Sequence, residues 1–340
     1  MSPSVELSPL LACVGLFRRH LLRWFKVHGR DLPWRRTSDP YAVLVSEFML
    51  QQTQVATVLP YYRHWLERFP DFGALARAQE PEVLHAWQGL GYYGRARNIQ
   101  AAAKVVLQSF AGKLPPDTAK IAQLPGVGRY TAGAIASFAF DLPEPIVEAN
   151  IARLLTRLTN WRQPIDSAAG QAHLWKVAAG LVPRRGARFL NSALMDLGAT
   201  ICLPRRPRCG KCPVRRFCRA KDPAALPVKR RKPDTVYLTE AHALTRRGDR
   251  LLLEQSRERW RGMWILPRLV TAPARPALLR LDFPFTHHRI TLAVFARAAS
   301  PLPNDNQQWF PLPALADLPV PSPHRRALTR LLPNDSISRR

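Results

Sequence analysis

Over the first two thirds of the chain, apolar residues recur at helical spacing. In YAVLVSEFMLQQTQVATVL, residues 41–59, Leu44, Phe48, Val55 and Leu59 fall on one helical face. ALARAQEPEVLHAW, RARNIQAAAKVVLQSF and YTAGAIASFAF follow with similar periods, joined by short Gly/Pro loops. In PIVEANIARLLTRL, residues 145–158, Ile151, Leu154, Leu155 and Leu158 form a further stripe, with Asn150 where an N-cap belongs. After residue 234 the period changes. TVYLTEAHAL alternates, the turn TRRGDR follows, and LLLEQ completes an expected hairpin. RITLAVFARA is another strand, and HRRALTRLL a short helix. The pattern predicts a mainly α part over 1–220 and a smaller α+β domain over 235–333. Between them lies a basic, Pro-rich linker, 221–234, and 334–340 form a tail.

Charge narrows the class. The 340 residues hold 51 Lys+Arg against 24 Asp+Glu, a formal +27, which calls for a polyanionic partner such as nucleic acid. The 32 prolines also fit an Arg-, Pro- and Ala-rich genome, which accounts for part of the excess. No apolar run reaches membrane-spanning length. Arg18, Arg19 and Arg23 interrupt any N-terminal signal core, so a cytoplasmic, nucleoid-associated bacterial protein is expected.

Four of the five cysteines cluster rather than spread, which argues against a secreted disulfide framework. CLPRRPRCGKCPVRRFC places Cys202, Cys209, Cys212 and Cys218 at C-x6-C-x2-C-x5-C spacing. Four thiols on one short loop favour a metal centre, although a zinc site usually pairs two Cys-x2-Cys knuckles and only one is present. The spacing resembles the [4Fe–4S] loop, here 202–218, of the endonuclease III superfamily of DNA glycosylases. Arg205, Arg206, Arg208, Lys211, Arg215, Arg216 and Arg219 surround the ligands with no acid among them, so the loop reads as phosphate-facing. Cys13 is left over as an ordinary buried thiol.

LPGVGRYTAGAI, residues 124–135, joins two helical segments. Gly126 and Gly128 permit tight turning, and the amides opening the next helix, through Thr131, suit an anion. With the cysteine loop in a basic chain, the segment resembles a helix-hairpin-helix module, about 120–136, that grips a DNA phosphate.

SEFMLQQTQVATV, GLGYYGRARN, LPGVGRYTAGAI and ALMDLGATIC together resemble the MutY family of adenine glycosylases, which remove adenine mispaired with 8-oxoguanine. The resemblance implies roles residue by residue. Glu47 matches the general acid that protonates the departing adenine; its place beside Leu44 and Phe48 suits a desolvated, protonated carboxyl. Gln52 and Tyr92 match residues that push into the duplex, with Leu90 in the same loop. Trp34 and Arg35 match the adenine pocket, and Tyr130 and Asn150 hold the catalytic carboxylates and the sugar. Superfamily members that also nick the strand carry a Lys where this chain has Tyr130, so a monofunctional glycosylase is expected, acting as a monomer on duplex DNA containing A:8-oxoguanine or A:G.

The C-terminal part resembles the family's Nudix-like domain, which reads 8-oxoguanine. FTHHRITLAVF resembles its Phe-Ser-His loop, giving Phe285, Thr286 and His287, with Thr for Ser. No REUxEE-like acidic run occurs there, which disfavours Mg²⁺-dependent nucleotide hydrolysis. One departure matters more. The family reads Asp-Gly-Asn where this chain has Glu148-Ala149-Asn150. The family Asp meets the cationic sugar of the transition state. Glu148 has the same charge with one more methylene and is expected to remain that partner; the alternative is a carboxylate that only starts a helix. Two alternatives share the scaffold: another glycosylase of endonuclease III or mismatch-thymine type, and a weakened lesion-binding homologue.

Overall fold

The computed structural model describes residues 9–231, 233–298 and 302–332. In chain order the helices are α1 (Pro9–Ala12), α2 (Val14–His28), α3 (Pro40–Leu50), α4 (Val55–Arg68), α5 (Phe72–Arg77), α6 (Glu80–Ala86), α7 (Gly94–Ser109), α8 (Thr118–Ala122), α9 (Arg129–Phe140), α10 (Ala149–Thr159), α11 (Ala168–Leu181), α12 (Ala187–Thr200) and α13 (Ser322–Leu331). The strands are β1 (Val236–Leu244), β2 (Arg246–Arg247), β3 (Arg250–Gln255), β4 (Trp264–Ile265), β5 (Leu279–Phe285), β6 (His288–Ala296) and β7 (Gln307–Pro311). The mainly α part and the α+β part are both present. Among the described residues no helix is long and apolar enough to cross a membrane.

The described residues form two compact units, 9–54 with 101–231, and 55–100 with those described after 232. This division differs from the boundary drawn by composition, because residues of 55–100 contact loops of the C-terminal part and α13. Within that unit Arg97 donates to the Arg261 carbonyl at 2.9 Å, and Val320 N and Arg325 Nη2 each donate to Gln88 Oε1 at 3.4 Å.

The first unit is built around the stripe seen in the sequence. Ile151, Leu154, Leu155 and Leu158 of α10 are all buried, with Leu21 of α2, Leu174 of α11 and Leu190, Leu194 and Leu197 of α12. Hydrophobic burial of this size is the main stabilising term. The expected linker is not a free tether as far as residue 231. Leu226 is buried, Ile165 N donates to the Val228 carbonyl, and Arg230 N donates to Asp166. The 334–340 tail lies outside the described residues. Cys13 corrects an expectation. It is exposed at the start of α2, because it precedes the apolar stripe of that helix instead of joining it.

The second unit packs Trp65 against Trp87 edge-to-face at 5.3 Å and carries two sheets. In one, β6 lies between β1, parallel to it, and β5, antiparallel. In the other, β3 pairs with β2, β4 and β7. The expected hairpin is therefore the short β2–β3 turn; β1 leaves it and pairs with β6. Alternation along β1 marked a strand but carried no information about its neighbour.

Two further expectations change. The periodicity over 41–59 suggested one face, yet α3 stops at Leu50 and α4 starts at Val55, because Gln52 sits at φ 58° and no helix continues through a left-handed residue. Glu148, not Asn150, is the N-cap of α10.

Candidate active site and nucleic-acid interface

Asp39 opens α3 by accepting from the amides of Tyr41 and Ala42, both at 3.1 Å, with Pro40 in the first turn. Residues 41–49 are then buried on every side, as in a helix crossing a core. Glu47 is the only ionisable carboxyl in that stretch and is 3% exposed. Burial pushes it up to about 7. The Tyr130 hydroxyl, which donates to it, and Arg35 oppose that rise, and the nearby charge of Glu148 adds to it. Tyr130, in the first turn of α9, is itself pushed well above the usual phenol range by burial and by the two carboxylates, so it stays a donor.

Glu148 faces the same place under different constraints. Its Oε2 accepts from Asn150 N at 2.7 Å and Asn150 Nδ2 at 3.1 Å, and its Oε1 accepts from Ile151 N at 2.8 Å. Burial pushes its pKa up, while the amides of Asn150 and Ile151, the Arg153 charge and the Asn150 side chain all favour the carboxylate. Two neighbouring acids thus differ in their donors. Glu47 has the Tyr130 hydroxyl; Glu148 has the start of a helix. Burial, with the Glu148 charge adding to it, favours a proton on Glu47, while the helix-start amides favour the Glu148 carboxylate.

Asn150 is locked from behind. Arg153 Nη2 donates to its Oδ1 at 2.8 Å and to the Gly198 carbonyl at 2.7 Å, and Arg153 Nε donates to the Cys202 carbonyl at 2.8 Å. A Cβ on Gly198 would lie 2.8 Å from the Asn150 Cβ, so α12 and α10 approach this closely only with glycine there. One turn on, buried Arg157 donates to the carbonyls of Leu203 and Pro204, both at 2.7 Å, and to Cys202 Sγ at 3.3 Å.

Cys202, Cys209, Cys212 and Cys218 line one cavity of about 150 Å³, with Leu154, Leu158 and Ile201. Burial, with the neighbouring thiols adding to it, pushes Cys212 up to about 11. Among the described residues no group of three or more His, Cys, Asp or Glu stands in position to hold a metal ion. Four thiols lining one cavity are the donor set of a thiolate-bound metal centre. The arginines and lysine of the loop are all exposed.

Arg35 is placed by an unpredicted residue. Asp196, 0% exposed, accepts both Arg35 Nη atoms at 2.8 Å and Arg30 N and Nε at 2.8 Å. These partners hold its carboxyl below the usual range despite burial. Its signal in the sequence was a lone acid within the apolar run ALMDLGATIC. Trp34, Arg35 and Ser192 line a cavity of about 590 Å³ with Phe138 and Met195. Removing one partner of a buried ion pair leaves a stranded charge. Asp196→Asn is therefore expected to cost about 3 kcal/mol in chemical denaturation; a loss near zero would show that Arg30 and Arg35 do not depend on it.

The hairpin joins α8 to α9. Gly126 turns at φ 75°. Gly128 precedes α9 with no side chain capping the helix, and the space on the side where a Cβ would project is open. Gly128 and Arg129 are exposed there, and amides at such a helix start suit a phosphate. Thr131 does not join that surface. It is 3% exposed and its hydroxyl meets Gln51 Nε2 at 3.5 Å, since its position in the first turn of α9 points inward. Gln52 and Tyr92 are exposed at φ 58° and 49°, in a backbone region that ordinary side chains rarely occupy and that clusters at functional sites. Leu90 is a second correction. It is 5% exposed, so this apolar side chain is used in packing and its loop offers Tyr92 instead. Phe285, Thr286 and His287 form the tip of the β5–β6 hairpin, Phe285 half-buried and the other two exposed.

Residues 45–179 match the HhH-GPD superfamily of base excision DNA repair proteins. The chain is 47% identical over 220 residues to the adenine DNA glycosylase of Rattus norvegicus, covering 62% of this chain and 42% of that protein, so it spans about two fifths of this relative's length. It is 32% identical over 264 residues to the adenine DNA glycosylase of Buchnera aphidicola subsp. Schizaphis graminum, covering 76% of each. Among solved structures, a thermostable thymine-DNA glycosylase matches with a TM-score of 0.56 and 30% identity, over 61% of this chain and 96% of that one. A non-covalent endonuclease III–DNA complex matches with a TM-score of 0.53 at 22% identity, over 62% and 95%, a likeness of fold.

Proposed function

This chain belongs to the adenine DNA glycosylase family, within the HhH-GPD superfamily of base excision DNA repair proteins, and from that we propose that it excises adenine mispaired with 8-oxoguanine or guanine from duplex DNA. The observation that carries the reading is the division of labour between Glu47 and Glu148. A carboxyl pushed up to about 7 can donate a proton near neutral pH, while one held by helix amides can stay ionised. Glu47 gives its proton to N7 of the flipped adenine, the C1′–N9 bond breaks with its electrons going to the base, and Glu148 faces the cationic sugar. Water then adds at C1′ and its released proton returns to a carboxylate. Tyr130 has no amine with which to attack the sugar, so the strand stays intact.

The hairpin amides hold the DNA backbone, and Gln52 and Tyr92 offset the cost of unstacking, a few kcal/mol for a flipped base. Phe285, Thr286 and His287 read the base opposite. Cys202, Cys209, Cys212 and Cys218 would hold a [4Fe–4S] cluster, which when bound cross-links the basic loop into one shape. That loop then presents Arg205, Arg206, Arg208, Lys211, Arg215 and Arg216 to phosphates.

The test is a single-turnover assay of the full, cluster-loaded chain on duplexes carrying A:8-oxoguanine, A:G, G:T or thymine glycol. Adenine release from the first two, with the strand cut only after alkali, is expected. Release of thymine or thymine glycol instead would assign another glycosylase activity. Tight binding with no base released would leave a lesion-binding protein.

A further inference from the structure

Arg259, in the loop between β3 and β4, meets the β5–β6 hairpin at Phe285. Its guanidinium sits over the Phe285 ring at 4.7 Å and over the Trp260 ring at 5.2 Å. Glu240 of β1 fixes it from the side: Arg259 Nη1 lies 3.0 Å from Glu240 Oε1 and 3.1 Å from Oε2. The two charged side chains are only 16% and 18% exposed. Trp260 is itself 6% exposed and packs against Phe283 and against buried His324, at 5.8 and 5.0 Å, so the floor under the guanidinium is rigid.

Stability does not explain this arrangement well. A partly buried ion pair seldom outperforms apolar residues of the same volume, whereas a planar guanidinium held by a carboxylate and two rings has one orientation. What it orients is Phe285, the last residue of β5. The next residue, Thr286, is β-branched and held at φ 54°, a conformation that persists only where its surroundings impose it. Glu240, Arg259 and Phe285 thus form a fixed base for a strained tip. Guanine and 8-oxoguanine differ only at C8 and N7, so reading that difference depends on tip placement to within a fraction of a hydrogen-bond length.

We propose that Arg259, clamped by Glu240, is a positioning residue that holds the Phe285–His287 tip in register with the opposite base and thereby sets the preference for 8-oxoguanine over guanine. The inference rests on the reading of that tip as the lesion-reading element.

The test uses full, cluster-loaded protein and single-turnover excision from A:8-oxoguanine and A:G duplexes, with thermal unfolding measured alongside. Arg259→Met keeps the volume and removes the charge, Glu240→Gln releases the clamp from the other side, and Arg259→Lys keeps charge without the planar stack. His287→Ala disables the tip directly. Arg259→Met and Glu240→Gln are expected to lower the A:8-oxoguanine to A:G rate ratio about 10-fold, as a displacement of under ~1 Å would, with the A:G rate changed by less than about 2-fold. Arg259→Lys should fall between. If His287→Ala collapses the ratio but Arg259→Met and Glu240→Gln do not, the tip reads the lesion and Arg259 does not position it. If both rates fall by one factor together with the melting temperature, the clamp is structural only. If His287→Ala leaves the ratio unchanged, the reading of the tip fails, and the role of Arg259 with it.

Discussion

Glu47→Gln is expected to abolish adenine excision, lowering the single-turnover rate by about 10³-fold, within the range that general acids contribute. The amide matches the carboxyl in size and can still accept from Tyr130, so duplex binding should persist. The wild-type rate should fall as pH rises through about 7, because the reactive form is the protonated acid. Stability should move the other way on substitution. Glu47 is raised from 4.5 to about 7 in the folded chain, so the native state binds more protons than the unfolded state in that window. The folded chain loses stability as pH rises through it. At ~1.4 kcal/mol per pH unit, Glu47→Gln should stabilise the protein by about 3 kcal/mol at pH 8 and by little below pH 4. A variant that is inactive but no more stable at pH 8 would show that Glu47 carries no burial cost, and a variant with the wild-type rate would remove it from the chemistry.

Glu148→Gln is expected to have the second-largest effect, a loss of about 10²-fold in excision with binding of A:8-oxoguanine duplex retained. Two causes act together. The negative charge that the proposed reaction sets against the sugar disappears. In addition, Glu148 no longer raises the pKa of Glu47, so the acid is less protonated at neutral pH and the residual activity should shift to lower pH. The helix start also suffers. Glu148 accepts from Asn150 N, Ile151 N and Asn150 Nδ2, and Gln offers one acceptor where the carboxylate offered two, costing about 1 kcal/mol. Glu148→Asp keeps the charge, and Asp caps helices well, so excision should stay within about 10-fold of wild type. Single-turnover rates for both variants across pH decide the matter. An unchanged rate in Glu148→Gln would reduce Glu148 to a helix cap alone.

The two uses of Glu148 are compatible. The sequence posed them as alternatives, because a carboxylate before a helix reads equally as a cap or as a catalytic group. The structure shows one carboxylate capping α10 while close enough to Glu47 to shift its pKa. Both carboxylate oxygens of Glu148 accept from the first-turn amides, and Oε2 also from Asn150 Nδ2.

Local, short-range features were legible in the sequence. The α10 stripe, the hairpin between α8 and α9, the four-cysteine spacing and the α+β change after residue 234 all depend on neighbours in the chain, and periodicity or turn chemistry encodes them directly. Features that depend on distant partners were not. Thr131 and Leu90 lie in motifs that suggest surface roles, yet packing from other helices buries both. The break at Gln52 is a single left-handed residue inside an unbroken apolar period, and β1 gives no sign that it pairs with β6. Asp196 and Arg153 lie far in sequence from the residues they hold, Arg35 and the Cys202 carbonyl. By itself, the sequence determined the helical elements, the family and the residue types available for chemistry, because these are set by local pattern. Only the tertiary structure decided which carboxylate keeps a proton, because that depends on the burial and hydrogen-bond donors that distant segments bring to Glu47 and Glu148.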